Sequence, residues 1–389
     1  MKKVLILGGG FAGLESAIYL RKEGFNVTLV SDREYFYIYP TSIWIPTGEV
    51  KQGDISIDLL DLANKHGFKL IVDGVVGFDG KNKSTTLKSG RVLEDYYYVV
   101  LALGQDKLKH SGAKNTLSIC GHPQEATQIY HKLDSLVKKG SGKISFGFGG
   151  NPKDKSAVRG GPVFEVLFNV DNYLRKKGIR DNFELTFFAP MAKPGEKMGE
   201  KSLNMMDKMF KSKNINKKIG TKITNFTENS IEFADETALE SDLIIFTPAG
   251  KGHHIYENSG LPLSEAGYII TDKYSQIENF DGIYAIGDSA NLLGPKFKAK
   301  QGHLAEVMAR NLAYNIKNHS KDIADRKEYV SHVNILCVMD MGNGAGFVYR
   351  DEKRALMIPM PIFGHWLKKG WGWYCKNSKL GKIPRIKGM

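Results

Sequence analysis

The sequence predicts an α/β protein: two Rossmann-like dinucleotide-binding domains and a small C-terminal region that faces a membrane. Three observations carry this. A glycine cluster at residues 8–13 sits between a short apolar run and a helical pattern. A second strand–glycine–helix pattern begins near Lys143. From Lys353 to Met389 there are nine Lys or Arg, three of the four tryptophans, and no Asp or Glu.

Taken in order, Val4 to Leu7 reads as a buried parallel strand, because its apolar run is continuous rather than alternating. A helix with Leu14, Ala17 and Ile18 on one face follows and stops at Gly24. Val27 to Val30 is the next parallel strand, which completes a βαβ unit. Tyr97 to Leu103 reads as a further buried strand that runs into a turn at Gly104. The second pattern starts at Ile144–Phe146, passes a glycine cluster and continues as a helix from Phe164 to Leu174. Leu185–Phe188, Leu243–Phe246 and Ile283–Ile286 are strands, and Leu304–Ile316 is a helix. A length of 389 residues suits two domains with an appendage. The expected division is residues 1–110 with 275–330, then 111–274, then 331–389.

Gly8-Gly9-Gly10-Phe11-Ala12-Gly13 fits GxGxxG. Gly8 allows the tight turn, Gly10 lets a pyrophosphate approach the backbone, and Gly13 permits close helix–strand packing. The free N–H groups and positive dipole end of the following helix suit the phosphates. Placed after a strand and before a helix, the motif predicts a site for the ADP half of a dinucleotide. Ser31 ends the second strand and Asp32 follows, so either side chain can serve the ribose hydroxyls.

Composition removes several alternatives. The chain is 42% apolar and 25% charged, as a protein with a real core should be. Cys120, Cys337 and Cys375 have no metal-type spacing, so neither a metal site nor a disulfide framework is expected. The first residues run straight into a strand, and no apolar run approaches the ~20 residues of a membrane span. The expectation is a peripheral protein on the cytoplasmic side. The net charge of +13 suits either nucleic acid or an anionic membrane surface. Its concentration among tryptophans in the tail favours the membrane, and dinucleotide motifs fill the rest of the chain, so nucleic acid is not expected.

Gly282-Ile283-Tyr284-Ala285-Ile286-Gly287-Asp288 resembles the second FAD motif of the two-dinucleotide-binding-domain flavoproteins, and Val99 to Gly104 resembles their central strand. Leu103 stands where those proteins usually have Thr. The resemblance implies FAD as cofactor, held by Gly8, Gly10, Phe11, Ala12, Gly13, Ser31, Asp32, Arg33, Ala102, Gly104, Gly287 and Asp288. Within that group the chain most resembles the sulfide:quinone oxidoreductases and the flavocytochrome c sulfide dehydrogenases, from Lys2 to about Gly346. Ser31–Phe36, Ser118–Cys120, Gly161–Glu165, Lys300–His303 and Cys337–Gly342 carry this likeness. It implies that Cys337 is a redox cysteine and that Cys120 matches a first cysteine tied covalently to flavin in some members. It implies that Glu165 shuttles protons and that Lys300 lies at the pyrimidine edge of the flavin. A sulfide donor, a membrane quinone acceptor and an amphipathic tail belong to the same inference, with Tyr35–Pro40 and Gly342–Phe347 as walls of the quinone pocket.

One departure is large. Arg159 stands where the family has its other redox cysteine, the partner of Cys337 in a trisulfide-like bridge. If Arg159 lies beside Cys337, its charge should lower the thiol's pKa and favour the thiolate. A nicotinamide site is argued against by Gly147–Pro152, which lacks a third glycine, and by Leu185–Phe188, which ends without an acid. Three readings stay open: a sulfide:quinone oxidoreductase or variant, a type II NADH:quinone oxidoreductase, and a non-catalytic flavoprotein that binds lipid or a partner.

Overall fold

The computed structural model describes residues 2–386, so Lys387, one of the nine basic residues of the tail, lies outside them. The chain opens with β1 (Lys3–Leu7), α1 (Phe11–Lys22), β2 (Asn26–Ser31), β3 (Lys69–Val72) and β4 (Tyr98–Leu101). It continues through β5 (Gly142–Phe148), α2 (Gly161–Lys176), β6 (Phe183–Ala189), β7 (Asn216–Ile219) and β8 (Leu243–Thr247). It then returns through β9 (Ile283–Ala285) and α3 (Gly302–His319). The last part is β10 (Ile335–Asp340), β11 (Gly344–Arg350), β12 (Ala355–Pro361) and α4 (Phe363–Lys379).

The first sheet is parallel throughout, in the order β9-β4-β1-β2-β3. β1 lies at its centre and is buried on both faces, which is why Val4 to Leu7 read as an unbroken apolar run. β4 is shorter than the sequence suggested. Tyr97 stays exposed with Lys2 over its ring, and Gly104 turns the chain with φ +81°. The second sheet, β7-β6-β5-β8, is also parallel. Its core is aromatic: Phe164 of α2 meets Phe148 and Phe187, and Phe168 meets Phe210, all buried. Both sheets open their carboxyl ends toward one crevice, where an open α/β sheet takes its ligands.

The third sheet, β10-β11-β12, is antiparallel and leans on α2, with α4 packed across it. α4 also rests on a 3-10 helix at Tyr39–Trp44. Its far end is held to the first domain by buried ions. Lys379 lies 2.7 Å from Glu306 of α3 and also meets Glu15 of α1, to which Arg385 is paired. The other side of α4 is apolar and exposed, with Phe363, Trp366, Leu367 and Trp373 uncovered, next to Ile358 and Ile362. Among the described residues no helix is long and apolar enough to cross a membrane.

Candidate active site

The glycine cradle follows from sterics. A Cβ on Gly8 would lie 2.2 Å from the Ala102 carbonyl oxygen, and one on Gly13 would lie 1.8 Å from the Gly8 oxygen. Both must therefore be glycine for α1 to sit this close to the sheet. Gly10 differs: a Cβ there would have nothing within 4 Å, so the backbone at the helix start faces open space. α1 has no side-chain cap, which leaves its first N–H groups free for an anion. The Gly287 turn packs onto this loop, since a Cβ on Gly287 would come within 2.8 Å of Ala12. Asp288 is thereby brought beside the first motif. Open backbone, unpaired N–H groups and an adjacent carboxylate fit the pyrophosphate and sugar of FAD.

Between Ser31 and Asp32 the structure distinguishes. The Ser31 hydroxyl is used locally: it donates to the Arg33 carbonyl at 2.7 Å and accepts from the Arg33 N–H at 3.2 Å. Asp32 keeps its side chain 72% exposed, with Arg33 at 3.4 Å, so its carboxylate at the strand end is open to solvent. Ala102 ends β4's buried run, and Gly104 donates its N–H to the Ser289 hydroxyl at 3.0 Å.

Arg159 does not do what its sequence position suggested. Its guanidinium pairs with Asp288 across the crevice, not with Cys337. The reason is charge: Asp288 lies opposite the loop before α2, and of that loop's cations Lys153 and Lys155 meet Glu265 and Glu196 while Arg159 meets Asp288. Lys300 is buried beside them and donates to the Asp288 carbonyl at 3.1 Å, with its ammonium 3.7 Å from the Tyr268 ring centre. Burial, with Arg159 as one of the like charges nearby, brings the Lys300 pKa down to about 7. The Lys107 ammonium, also lowered by burial, reaches the carbonyl of Cys120.

Cys337 sits on β10, half-buried, in a different setting. Burial pushes its thiol up to about 12; Glu165 pushes the same way and Lys368 opposes. The expected low-pKa thiolate is thus overturned, because burial outweighs the Lys368 cation, Glu165 adds to it, and Arg159 is engaged elsewhere. Glu165 is buried on α2, where it accepts the Asp340 N–H at 2.8 Å and meets the Lys368 ammonium. Burial raises its carboxyl above the usual range, and Lys368 counters this. Cys120 is half-buried near Tyr37 and Tyr39, and all three cysteines are free. Cys375 is a core residue of α4 whose thiol burial holds at about 11.

Sequence reasoning missed Lys368, His365, Asp340, Glu49 and Trp44. Asp340 is fully buried, with His365 Nδ1 2.7 Å from its Oδ2. Trp44 Nε1 and Asn169 Nδ2 donate to its Oδ1 at 3.3 and 3.0 Å. The other imidazole nitrogen lies 3.1 Å from Glu49 Oε1. A separate group, Asp106 with His253 and His254, is held by its own hydrogen bonds. His254 Nδ1 is 2.9 Å from Asp106, and the Ile255 N–H donates to His253 Nδ1 at 3.4 Å, which leaves the His253 proton on Nε2, turned toward Asp106.

The profile of the pyridine nucleotide-disulphide oxidoreductases matches residues 2–309. The chain belongs to that family. It is an FAD-dependent oxidoreductase, and the cradle at Gly8–Gly13 with Asp288 is where the family's cofactor fits. This flavoprotein is similar to the sulfide-quinone reductase of Aquifex aeolicus, 24% identical over 97% of this chain and 92% of the relative. It is also similar to the type II NADH:quinone oxidoreductase of Staphylococcus saprophyticus, 24% identical over 92% of this chain and 93% of the relative. The crystal structure of the Aquifex aeolicus sulfide:quinone oxidoreductase superposes with a TM-score of 0.87, at 24% identity, over 98% of this chain and 92% of that one.

Proposed function

We propose that the protein carries two electrons from a small sulfur donor to a membrane quinone, with Cys337 as the sulfur-handling thiol and Glu165 with Lys368 as the proton pair beside it. The grouping of half-buried Cys337 with the buried Glu165 and Lys368 is the observation that carries this reading. FAD, when bound, supplies the two-electron chemistry between donor and acceptor. Quinone reduction takes up two protons. A buried carboxyl raised above its usual range and backed by an ammonium can hold a proton at Glu165 and release it. The same pair can take the Cys337 proton as the thiol turns over. Arg159 stands on the cofactor side, where its guanidinium neutralises Asp288, and it supplies no second thiol.

The exposed Phe363, Trp366, Leu367 and Trp373 suit the headgroup level of a bilayer, where quinones dissolve. The neighbouring lysines add attraction to anionic lipid, ~1 kcal/mol each. Tyr35–Pro40 and Gly342–Phe347 remain the proposed walls of the quinone pocket.

A second reading is a type II NADH:quinone oxidoreductase. The high pKa of Cys337 favours it, since a thiol held at about 12 carries little thiolate at neutral pH. Against it stands β6, which ends at Ala189-Pro190 with no acid for a ribose. The test is anaerobic mixing of the flavin-loaded protein with sulfide, and separately with NADH, read at the flavin band near ~450 nm. Fast bleaching by sulfide alone, reversed by a soluble quinone, is expected. Bleaching by NADH alone would replace the proposal with the second reading. A flavin that neither donor bleaches would sink both.

A further inference from the structure

The first two turns of α4 carry three cations, and three other elements supply the carboxylates they meet. His365 lies between Asp340 of β10 and Glu49 of the loop after the 3-10 helix, at 2.7 and 3.1 Å. Lys368 meets Glu165 of α2, and Lys369 meets Glu49. A helix start is a poor place for cations, because its unpaired N–H groups form a positive pole. α4 has no side-chain cap either, and Ile362 before it takes φ +58°, a costly conformation for a β-branched residue. The local sequence therefore does not favour this helix start; the contacts around it do.

The partners of His365 decide its charge. Both of its ring nitrogens face carboxylate oxygens, Asp340 Oδ2 at 2.7 Å and Glu49 Oε1 at 3.1 Å, and only the imidazolium has a proton to donate to each. Asp340 is fully buried, and its remaining donors, Trp44, Asn169 and the Gly342 N–H, are neutral. Neutral His365 would leave a buried carboxylate without a cation, which is costly.

We propose that His365, as an imidazolium bridging Asp340 and Glu49, is a positioning residue that seats the start of α4 so that Lys368 reaches Glu165 beside Cys337. Its importance for turnover rests on the function proposed above; the seating itself is read without turnover. When His365 loses its proton, the first turns of α4 loosen, Lys368 leaves Glu165, and Cys337 opens to solvent. The groups facing His365 are Asp340, Glu49, Lys369 and the Trp44 ring, whose centre is 5.9 Å away.

The experiment is alkylation of Cys337 by iodoacetamide in the flavin-loaded protein between pH 6 and pH 10, followed on its peptide by mass spectrometry. Rates are divided by the thiolate expected at each pH for a thiol held at about 12, so that ionisation of Cys337 in its closed site does not imitate a step. In the wild type, protection should hold at neutral pH and fall in an alkaline step. His365→Gln should lose protection roughly tenfold at neutral pH, as expected when one buried charge pair stops opposing local opening. His365→Arg, a permanent cation able to span two carboxylates, should keep protection and abolish the step. The proposal fails if His365→Gln protects Cys337 as the wild type does, or if His365→Arg retains the step. Should His365→Gln not fold, the wild type against His365→Arg decides. A correct labelling pattern in a protein that neither sulfide nor NADH reduces would overturn the proposed function and leave the seating intact.

Discussion

At the scale of single residues, His365 sets a pH dependence whose sign can be worked out. Its hydrogen bonds to Asp340 and then Glu49 raise its pKa to about 9. An unfolded histidine titrates near ~6.5. The stability it contributes is fully present below ~6.5 and is lost as pH rises through about 9. Thermal denaturation should therefore show Tm falling between neutral pH and pH 10 in the wild type, with a flatter profile in His365→Arg; parallel profiles would refute this. None of it was legible in the tail, where His365, Lys368 and Lys369 read as part of a basic stretch. Lys368 and Glu165 are 203 residues apart, and no local pattern encodes such a pairing. The spacing of His365 and Lys368, three residues apart on one helical face while Trp366 and Trp373 turn outward, was the available signal. Arg159 shows the same limit from the other side: its residue type was informative, but its partner Asp288 came from another domain.

At the scale of elements, the βαβ start was legible because its determinants are local: a strand, a glycine turn and a helix in immediate succession. The two outer positions of that turn now separate by role. Gly8→Ala places a methyl 2.2 Å from a backbone oxygen at φ +113°, so it should destabilise the fold itself, by about 3 kcal/mol or more. Gly10→Ala meets nothing in the protein, so the apoprotein should melt as the wild type does while FAD affinity drops. Denaturation of the apoproteins together with flavin titration tests the pair; equal loss of stability in both would remove the cradle argument. The three-stranded sheet and α4 were less legible than the first domain. Ala355–Pro361 contains two prolines, and only its pairing with β11 makes a strand of it.

At the scale of the whole molecule, the two parallel sheets meet through Arg159 and Asp288, and the third sheet packs between α2 and α4. The exposed apolar face of α4 predicts binding to vesicles. Replacing Phe363, Trp366 and Trp373 together by Ser should abolish co-sedimentation with anionic liposomes and leave flavin content unchanged. Raising salt should weaken wild-type binding only in part, since screening reaches the lysines and not the rings. Retained sedimentation in the triple variant would place the contact elsewhere. The overall charge of +13 pointed to an anionic surface, but which side of the tail is left exposed was visible only from what α4 buries.

The ions at the two ends of α4 bear on how this protein can be cut or rebuilt. A tail that served only as a float would be removable, and any other lipid-binding helix would replace it. Here, deletion from Phe363 onward would strip Glu165 and Asp340 at one end and Glu15 and Glu306 at the other of the cations that cover them. Glu15 belongs to α1, the helix that starts at the cofactor cradle. A shortened, water-loving version should therefore be a poorer flavin holder rather than the same enzyme set free. A transplanted anchor would succeed only if it brought cations at the places of His365, Lys368 and Lys379.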